Sequence, residues 1–384
     1  MRIPAIRQRP WLAAALVAVV VTGAWCLRPQ AAAPADTAAP GQAAKSPARE
    51  AAAPRSAGER MKDEWLSVLA SCGKDTSPEE LRRQLAALKC RWLLEDDLHG
   101  VGLMCAGLLR GGADAKTGIP FELGPGGRLA GWPTMRVFLL EVLGEADPDL
   151  AMELGREVLG STGSAEEFAV ALKALAKTKG GPWRAPDAEL EAYFATLLHK
   201  PEWQRSDGLA QGLDLARNLA TPAATATLAE WLKTAPPARV AGQMAIHETA
   251  VLNPQLVVGI MANQPDLLEG SEPGLRSSLM ARASVSDQGQ AGMVEAYLHD
   301  PAVPAEEKRD FLKLYPMRSA TTGYRLYGSA PSSYEQGAVV QDDQAALEAV
   351  TRWKTDPALG EFLPQLNKLE GRLQTWVRQA GEKE

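Results

Sequence analysis

From residue 77 onward the chain repeats one pattern: a capping residue or a proline, followed by apolar residues three and four positions apart. Proline suits the first turn of a helix because its missing N–H would have no intrahelical partner there and its fixed φ is already helical. The pattern occurs at Ser77-Pro78, Asp147-Pro148, Ala185-Pro186, Thr221-Pro222, Pro236-Pro237, Asn253-Pro254, Glu272-Pro273 and Val303-Pro304. Ser77 with Glu80, and Ser164 with Glu167, also fit capping boxes, in which a serine and a glutamate satisfy the first N–H groups of a helix. With Ser164, Ser206 and Ser286 added, the starts from 147 to 303 recur roughly every 15 to 21 residues, room for three to four helical turns and a short loop.

The apolar positions behind these starts form stripes. Leu81, Leu85, Leu88 and Trp92 make one, Phe168, Leu172 and Leu175 a second, and Leu209, Leu213 and Ala216 a third. A helix with one apolar face cannot bury it alone, and short loops make successive helices antiparallel neighbours. The sequence therefore predicts an all-α body over 59–384 made of stacked antiparallel helix pairs, a HEAT-like α-solenoid or a closed α/α toroid with a period of roughly 32 to 42 residues. Neither a tetratricopeptide W-x2-L-G-x2-Y run nor an ankyrin T-P-L-H motif occurs.

Two stretches interrupt the rhythm, 111–132 with seven glycines and 315–343. In the first, Gly124-Pro125-Gly126-Gly127 lacks the Lys-Ser/Thr ending of a phosphate loop and reads as a turn, suited to a small hairpin. The second places Tyr315, Tyr324, Tyr327 and Tyr334 beside Arg318 and Arg325, a composition suited to a contact surface. The simpler reading is a connector that packs its own aromatics onto the helices. After it, Phe362, Leu366, Leu369, Leu373 and Trp376 keep the spacing of a capping helix or a docking face, capping being the better fit to a terminal repeat.

The N-terminal end is of another kind. Residues 1–10 are basic, and Trp11 to Leu27 form 17 uncharged residues that as a helix would span roughly 25 Å, the short end of membrane-crossing lengths. Trp11 and Trp25 stand near the two ends, at headgroup level, and the preceding arginines orient the N-terminus toward the cytoplasm. Residues 11–27 thus read as a retained anchor that places the body outside the membrane, periplasmic in a bacterium. A cleaved secretory signal is the competing reading, but Ala31-Ala32-Ala33 is followed at once by Pro34, and Trp25 precedes Cys26 where a lipoprotein would want a small residue. Residues 29–58 hold thirteen alanines and five prolines with no large hydrophobe, a disordered linker.

Charge removes one class of partner. Residues 1–28 hold four arginines and no acid, so the rest carries 37 basic against 47 acidic residues, with no basic cluster in the body. Nucleic-acid binding needs such a footprint, and is not expected. An exported body with three cysteines leaves one over after pairing; Cys90 and Cys105, about equally far from a turn near Asp97, are the candidate disulfide, free buried thiols being the simpler reading.

Catalytic patterns are sparse. His247-Glu248 begins like a zincin helix, but Val251 stands where the second histidine is required. Glu95, Asp96, Asp97 and His99 form the one tight run of possible metal ligands, more simply read as a solvated helix cap. No G-x-S-x-G elbow occurs, and His99, His199, His247 and His299 are scattered. No cofactor is implied. The expectation is an anchored scaffold that engages a protein or envelope component. The alternatives are an α/α-toroid enzyme acting on a cell-surface glycan or peptide through unassigned carboxylates, and a spacer.

Overall fold

The computed structural model of the protein describes residues 57–73, 76–176, 187–234, 236–263, 274–317, 325–327 and 336–382. They fall within a compact unit running from Arg55 to Glu384. Its helices begin with α1 (Ala57–Ser71), α2 (Pro78–Trp92) and α3 (Leu98–Arg110). A hairpin of β1 (Glu122–Leu123) and β2 (Leu129–Gly131) follows, closed by a 3-10 turn at Pro125–Gly127. Next come α4 (Met135–Ala146), α5 (Pro148–Ser161), α6 (Ala165–Ala176), α7 (Asp187–His199), α8 (Asp207–Gly212) and α9 (Asp214–Leu219). The remainder are α10 (Pro222–Lys233), α11 (Arg239–Leu252), α12 (Pro254–Asn263), α13 (Leu275–Met280), α14 (Gln288–His299), α15 (Ala305–Leu314), α16 (Gln336–Thr355) and α17 (Leu363–Gly381). Among the described residues the body is all-α apart from the hairpin and an isolated bridge between Lys116 and Thr134, and α1 starts at Ala57, inside the stretch expected to be linker.

The caps explain where these helices begin. Ser77, Asp147 and Thr221 each accept a hydrogen bond from the backbone N–H three residues on, and a proline follows each of them. Ser164 accepts from the Glu167 N–H at 3.2 Å, but the Glu167 carboxylate turns to Arg136 and Thr162, so only half of the expected capping box closes. At α14 the cap is Asp287 rather than Ser286. The stripe Leu209, Leu213, Ala216 is divided between α8 and α9, where Ala216 N–H bonds to the Leu213 carbonyl three residues back and tightens the turn.

Packing follows two interleaved series. Most helices touch the next in sequence, while α4 touches α6, α6 touches α8, α9 touches α11, α11 touches α13, α13 touches α15 and α15 touches α17. On the other side of these, α3 touches α5, α7 touches α10, α10 touches α12 and α12 touches α14. The apolar stripes are buried: Leu85, Phe168, Leu172, Leu209 and Leu228 have no exposed surface. Burying each contributes about 1.5–3 kcal/mol. Phe168 joins three elements, its ring 5.0 Å from that of Trp203 and 6.2 Å from that of Tyr193. Leu366, Leu369 and Leu373 of α17 are buried where that helix packs on α15 and α16.

Cys90 and Cys105, the candidate disulfide pair, are apart. Cys90 faces solvent on α2 and Cys105 is buried on α3, and both are free thiols. Each of these helices packs against α1, so equal distance from the turn does not bring the two sulfurs face to face. Among the described residues no helix is long and apolar enough to cross a membrane; the expected anchor at 11–27 and the linker up to residue 56 lie outside them.

Candidate functional site

The two irregular stretches meet. In the first, α4 supplies Glu141, a buried carboxylate that accepts hydrogen bonds from the Leu129 N–H and, at 2.6 Å, from the Trp132 indole, and pairs with Lys89 of α2 at 3.0 Å. Thr117 donates to the Trp132 carbonyl and accepts from the Ile119 N–H at 3.1 Å. This fixes the hairpin on α2 and α4, and sets Gly127 at φ +75° at its tip. Lys173 of α6 donates to the Gly127 carbonyl at 2.5 Å.

Against that tip lies Arg325–Tyr327, from the middle of the second stretch, which we call the strap. A Cβ on Gly127 would stand 2.7 Å from the carbonyl oxygens of both Arg325 and Leu326, so only glycine allows this approach. The Arg325 guanidinium donates to Glu248 of α11 and faces Asp214 of α9, at 3.9 Å. The Tyr327 N–H donates to Asp214 at 3.2 Å, and its hydroxyl donates to the Ala169 carbonyl of α6 at 3.0 Å. Arg217 completes the cluster, 3.1 Å from Asp214 and 3.8 Å from Glu248. Asp214, Arg217 and Glu248 are all buried.

Burial raises the Asp214 carboxyl above its ordinary range, against the pull of Arg217, the Tyr327 N–H and Arg325. It also lowers the Arg325 guanidinium, opposed by Asp214, and raises the Tyr327 phenol. These directions mark charges taken out of water and returned only part of their solvation by one another. The site gathers and neutralises charge, and offers a main-chain and side-chain seat for three residues.

The candidate contact surface changes accordingly. Tyr315 and Tyr327, each 1% exposed, turn inward instead of presenting a surface. Tyr315 stacks between Phe311 at 5.1 Å and Trp353 at 5.8 Å, and its carbonyl accepts from Arg372. Arg325 is partly buried, while Arg318, Tyr324 and Tyr334 lie outside the described residues. Sequence reasoning passed over Asp214, Arg217 and Lys173, weighed Glu248 only against a zincin helix, and took Gly127 only as part of a turn. The available signal was charge inside an apolar run: Asp214 and Arg217 interrupt Leu213, Leu215, Ala216 and Leu219, and Glu248 interrupts Ala245, Ile246 and Ala250.

The histidines are committed to structural bonds. His247 resembles half of a nucleophile pair, with Nε2 3.2 Å from the Ser278 hydroxyl. Its Nδ1, however, accepts from the Arg282 guanidinium at 3.2 Å, so the neutral ring carries its proton on Nε2 and donates to Ser278. The Ser278 hydroxyl in turn donates to the Leu275 carbonyl at 2.8 Å, the opposite of activation by a base. Burial and Arg282 push His247 down to about 4. His99 bonds Asp147 at 2.6 Å, and Asp97 caps α3 through the Gly100 N–H. No group of three or more metal-binding side chains assembles among the described residues. A groove of about 800 Å³ between the ends of α7 and α10 is lined by Leu198, Pro201, Trp231 and Pro236, and the carboxylate in that lining, Glu230, pairs with Lys233 at 2.9 Å.

No protein-family model matches the chain, and no curated protein or solved structure matches it either.

Proposed function

We propose that the protein is a helical-repeat interaction scaffold, an α-solenoid of HEAT-like type held to a membrane by residues 11–27 and displayed beyond it on the linker. The observation that carries this is the double series of helix contacts, one running through α4, α6, α8, α9, α11, α13 and α15 and the other through α7, α10, α12 and α14. Stacking of that kind produces an extended surface on which partners are bound, with stability built from neighbour to neighbour. The chemistry of the interior favours the same reading over hydrolysis. Glycoside hydrolysis needs two carboxylates facing one bond, whereas Glu141, Glu167, Asp214 and Glu248 are each paired with a base inside the body. The partner is a protein or another component of the envelope.

Affinity purification of the full-length chain from gently solubilised membranes, with a chain ending at residue 58 as control, tests this. A stoichiometric partner that the control does not retain is expected. Recovery of the protein alone from the membrane fraction, or its recovery from the soluble fraction, would overturn the reading.

A further inference from the structure

Arg325–Tyr327 sits on the helices as a ligand sits in a binding site. It reaches Glu248 from 77 residues away and Ala169 from 158 residues away, so no local turn dictates its position. Each of its polar features has its own counterpart: the guanidinium has Glu248 and Asp214, the Tyr327 N–H has Asp214, and the phenol has the Ala169 carbonyl. Leu326 is buried between them, and Gly127 gives its main chain room to descend. The elements that provide the seat contact one another independently of it, α6 with α8, α8 with α9, and α9 with α11.

The charge balance specifies what fits. With Arg325 in place, two carboxylates face two guanidiniums; with it withdrawn, Asp214 and Glu248 face Arg217. A buried seat left with excess negative charge demands a cation, and a fixed arginine satisfies it better than a lysine because its fork meets both acids. The Ala169 carbonyl two residues farther along asks for a hydroxyl at the end of a flat, apolar body, which is tyrosine.

We propose that the face formed by α6, α9 and α11 is a recognition site for a peptide segment carrying arginine, an apolar residue and tyrosine in succession, and that Arg325–Tyr327 occupies it in cis as an exchangeable competitor for such a segment in a protein partner. This rests on the scaffold reading and names the chemistry of its partner. Strap and incoming segment make the same contacts, so the strap sets a threshold. A partner binds when its extra contacts outside the seat, or its local concentration, exceed the advantage of an intramolecular competitor.

The test uses a fluorescent peptide with the sequence of residues 322–329, Thr-Gly-Tyr-Arg-Leu-Tyr-Gly-Ser, and the full chain carrying Arg325→Ala, Leu326→Ala and Tyr327→Ala. The triple variant is expected to keep its helical circular dichroism and to bind the peptide saturably, with affinity reduced at least about tenfold when Glu248→Gln is added or when the peptide's arginine becomes glutamate. The unaltered chain, its seat already filled, is expected to bind at least about tenfold more weakly than the triple variant. Absence of saturable binding to the folded triple variant, equal binding to both chains, or collapse of the helices when the strap side chains are removed would each overturn the proposal. Arg325→Ala alone, which keeps both buried apolar anchors, repeats the comparison with less disturbance to the core, and binding no tighter than to the unaltered chain would again overturn it. A folded variant that ignores the peptide would remove this site while leaving a partner found by affinity purification standing, so the two readings fail separately.

Discussion

Two stretches break the helical rhythm, and each is held down by buried carboxylates, yet the holds differ in kind. Glu141 reaches partners 9 and 12 residues away, and a backbone N–H and an indole fill its oxygens alongside Lys89. Asp214 and Glu248 hold a segment 113 and 77 residues away, Glu248 through an ion pair with Arg325 and Asp214 through the Tyr327 N–H at 3.2 Å and a longer pair with Arg325 at 3.9 Å. A carboxylate satisfied by short-range hydrogen bonds belongs to the fold, since breaking it strands buried donors. Ion pairs taken out of water gain little net energy because desolvation offsets most of the attraction. The hairpin is therefore a built part of the body, while the strap is a docked one.

The sharpest way to break that contrast is Glu141→Ala. It leaves the Leu129 N–H and the Trp132 indole without their acceptor and Lys89 with Glu145 alone, at 2.8 Å. A loss of about 3 kcal/mol in urea denaturation is expected, and a loss below about 1 kcal/mol would place the hairpin in the same class as the strap. Gly127→Ala touches both regions at once, because φ is +75° and the new Cβ would strike the strap carbonyls. A cost of about 1–3 kcal/mol is expected, together with earlier proteolytic cleavage near residues 325–327 than in the unaltered chain.

Arg325→Ala should cost less than Glu141→Ala, about 1–2 kcal/mol, because the released strap and acids regain water. Equal losses in the two variants, read from the same denaturation curves, would erase the distinction. The smallest effect expected is a pH dependence far from either site. His299 donates from Nδ1 to the Glu295 carbonyl and from Nε2 to Asp356, each at 2.7 Å, which raises the imidazole and lowers the Asp356 carboxyl. The raised histidine contributes stability that is fully present below its unfolded value near 6.5 and is lost as pH rises through its folded value. Asp356 contributes above its unfolded value and loses that contribution as pH falls through its folded one. The Tm difference between the unaltered chain and His299→Gln should accordingly be largest near pH 5–6 and shrink by pH 8; a difference that grows toward pH 8 would contradict the assignment.

The local rules of helix formation were legible in the chain. Ser77, Asp147 and Thr221 announce their helices because a cap acts within three residues, and Gly124–Gly127 announces its turn for the same reason. Side-chain facing around a helix pair was not. Cys90 and Cys105 sit at matching distances from a turn and still point to different environments, since rotation about each helix is set by what it packs on. The tyrosines of the second stretch were visible as a cluster, but not the inward course of Tyr315 and Tyr327, which depends on Phe311, Trp353 and Ala169 elsewhere in the chain. The ion cluster was hidden more deeply, because an acid within an apolar helix reads as an anomaly until its distant partner is known.

The docked strap can be tested in the unaltered protein by native-state hydrogen exchange at increasing urea, following the amides of Leu129 and Tyr327. Both are bonded to buried carboxylates, Leu129 to Glu141 and Tyr327 to Asp214. The account predicts that Leu129 exchanges only through global unfolding, with the full urea dependence, while Tyr327 exchanges through a smaller opening of lower free energy and shallow urea dependence. Merging of the two amides at one free energy and one slope would show that residues 325–327 are an inseparable part of the core, and would contradict it.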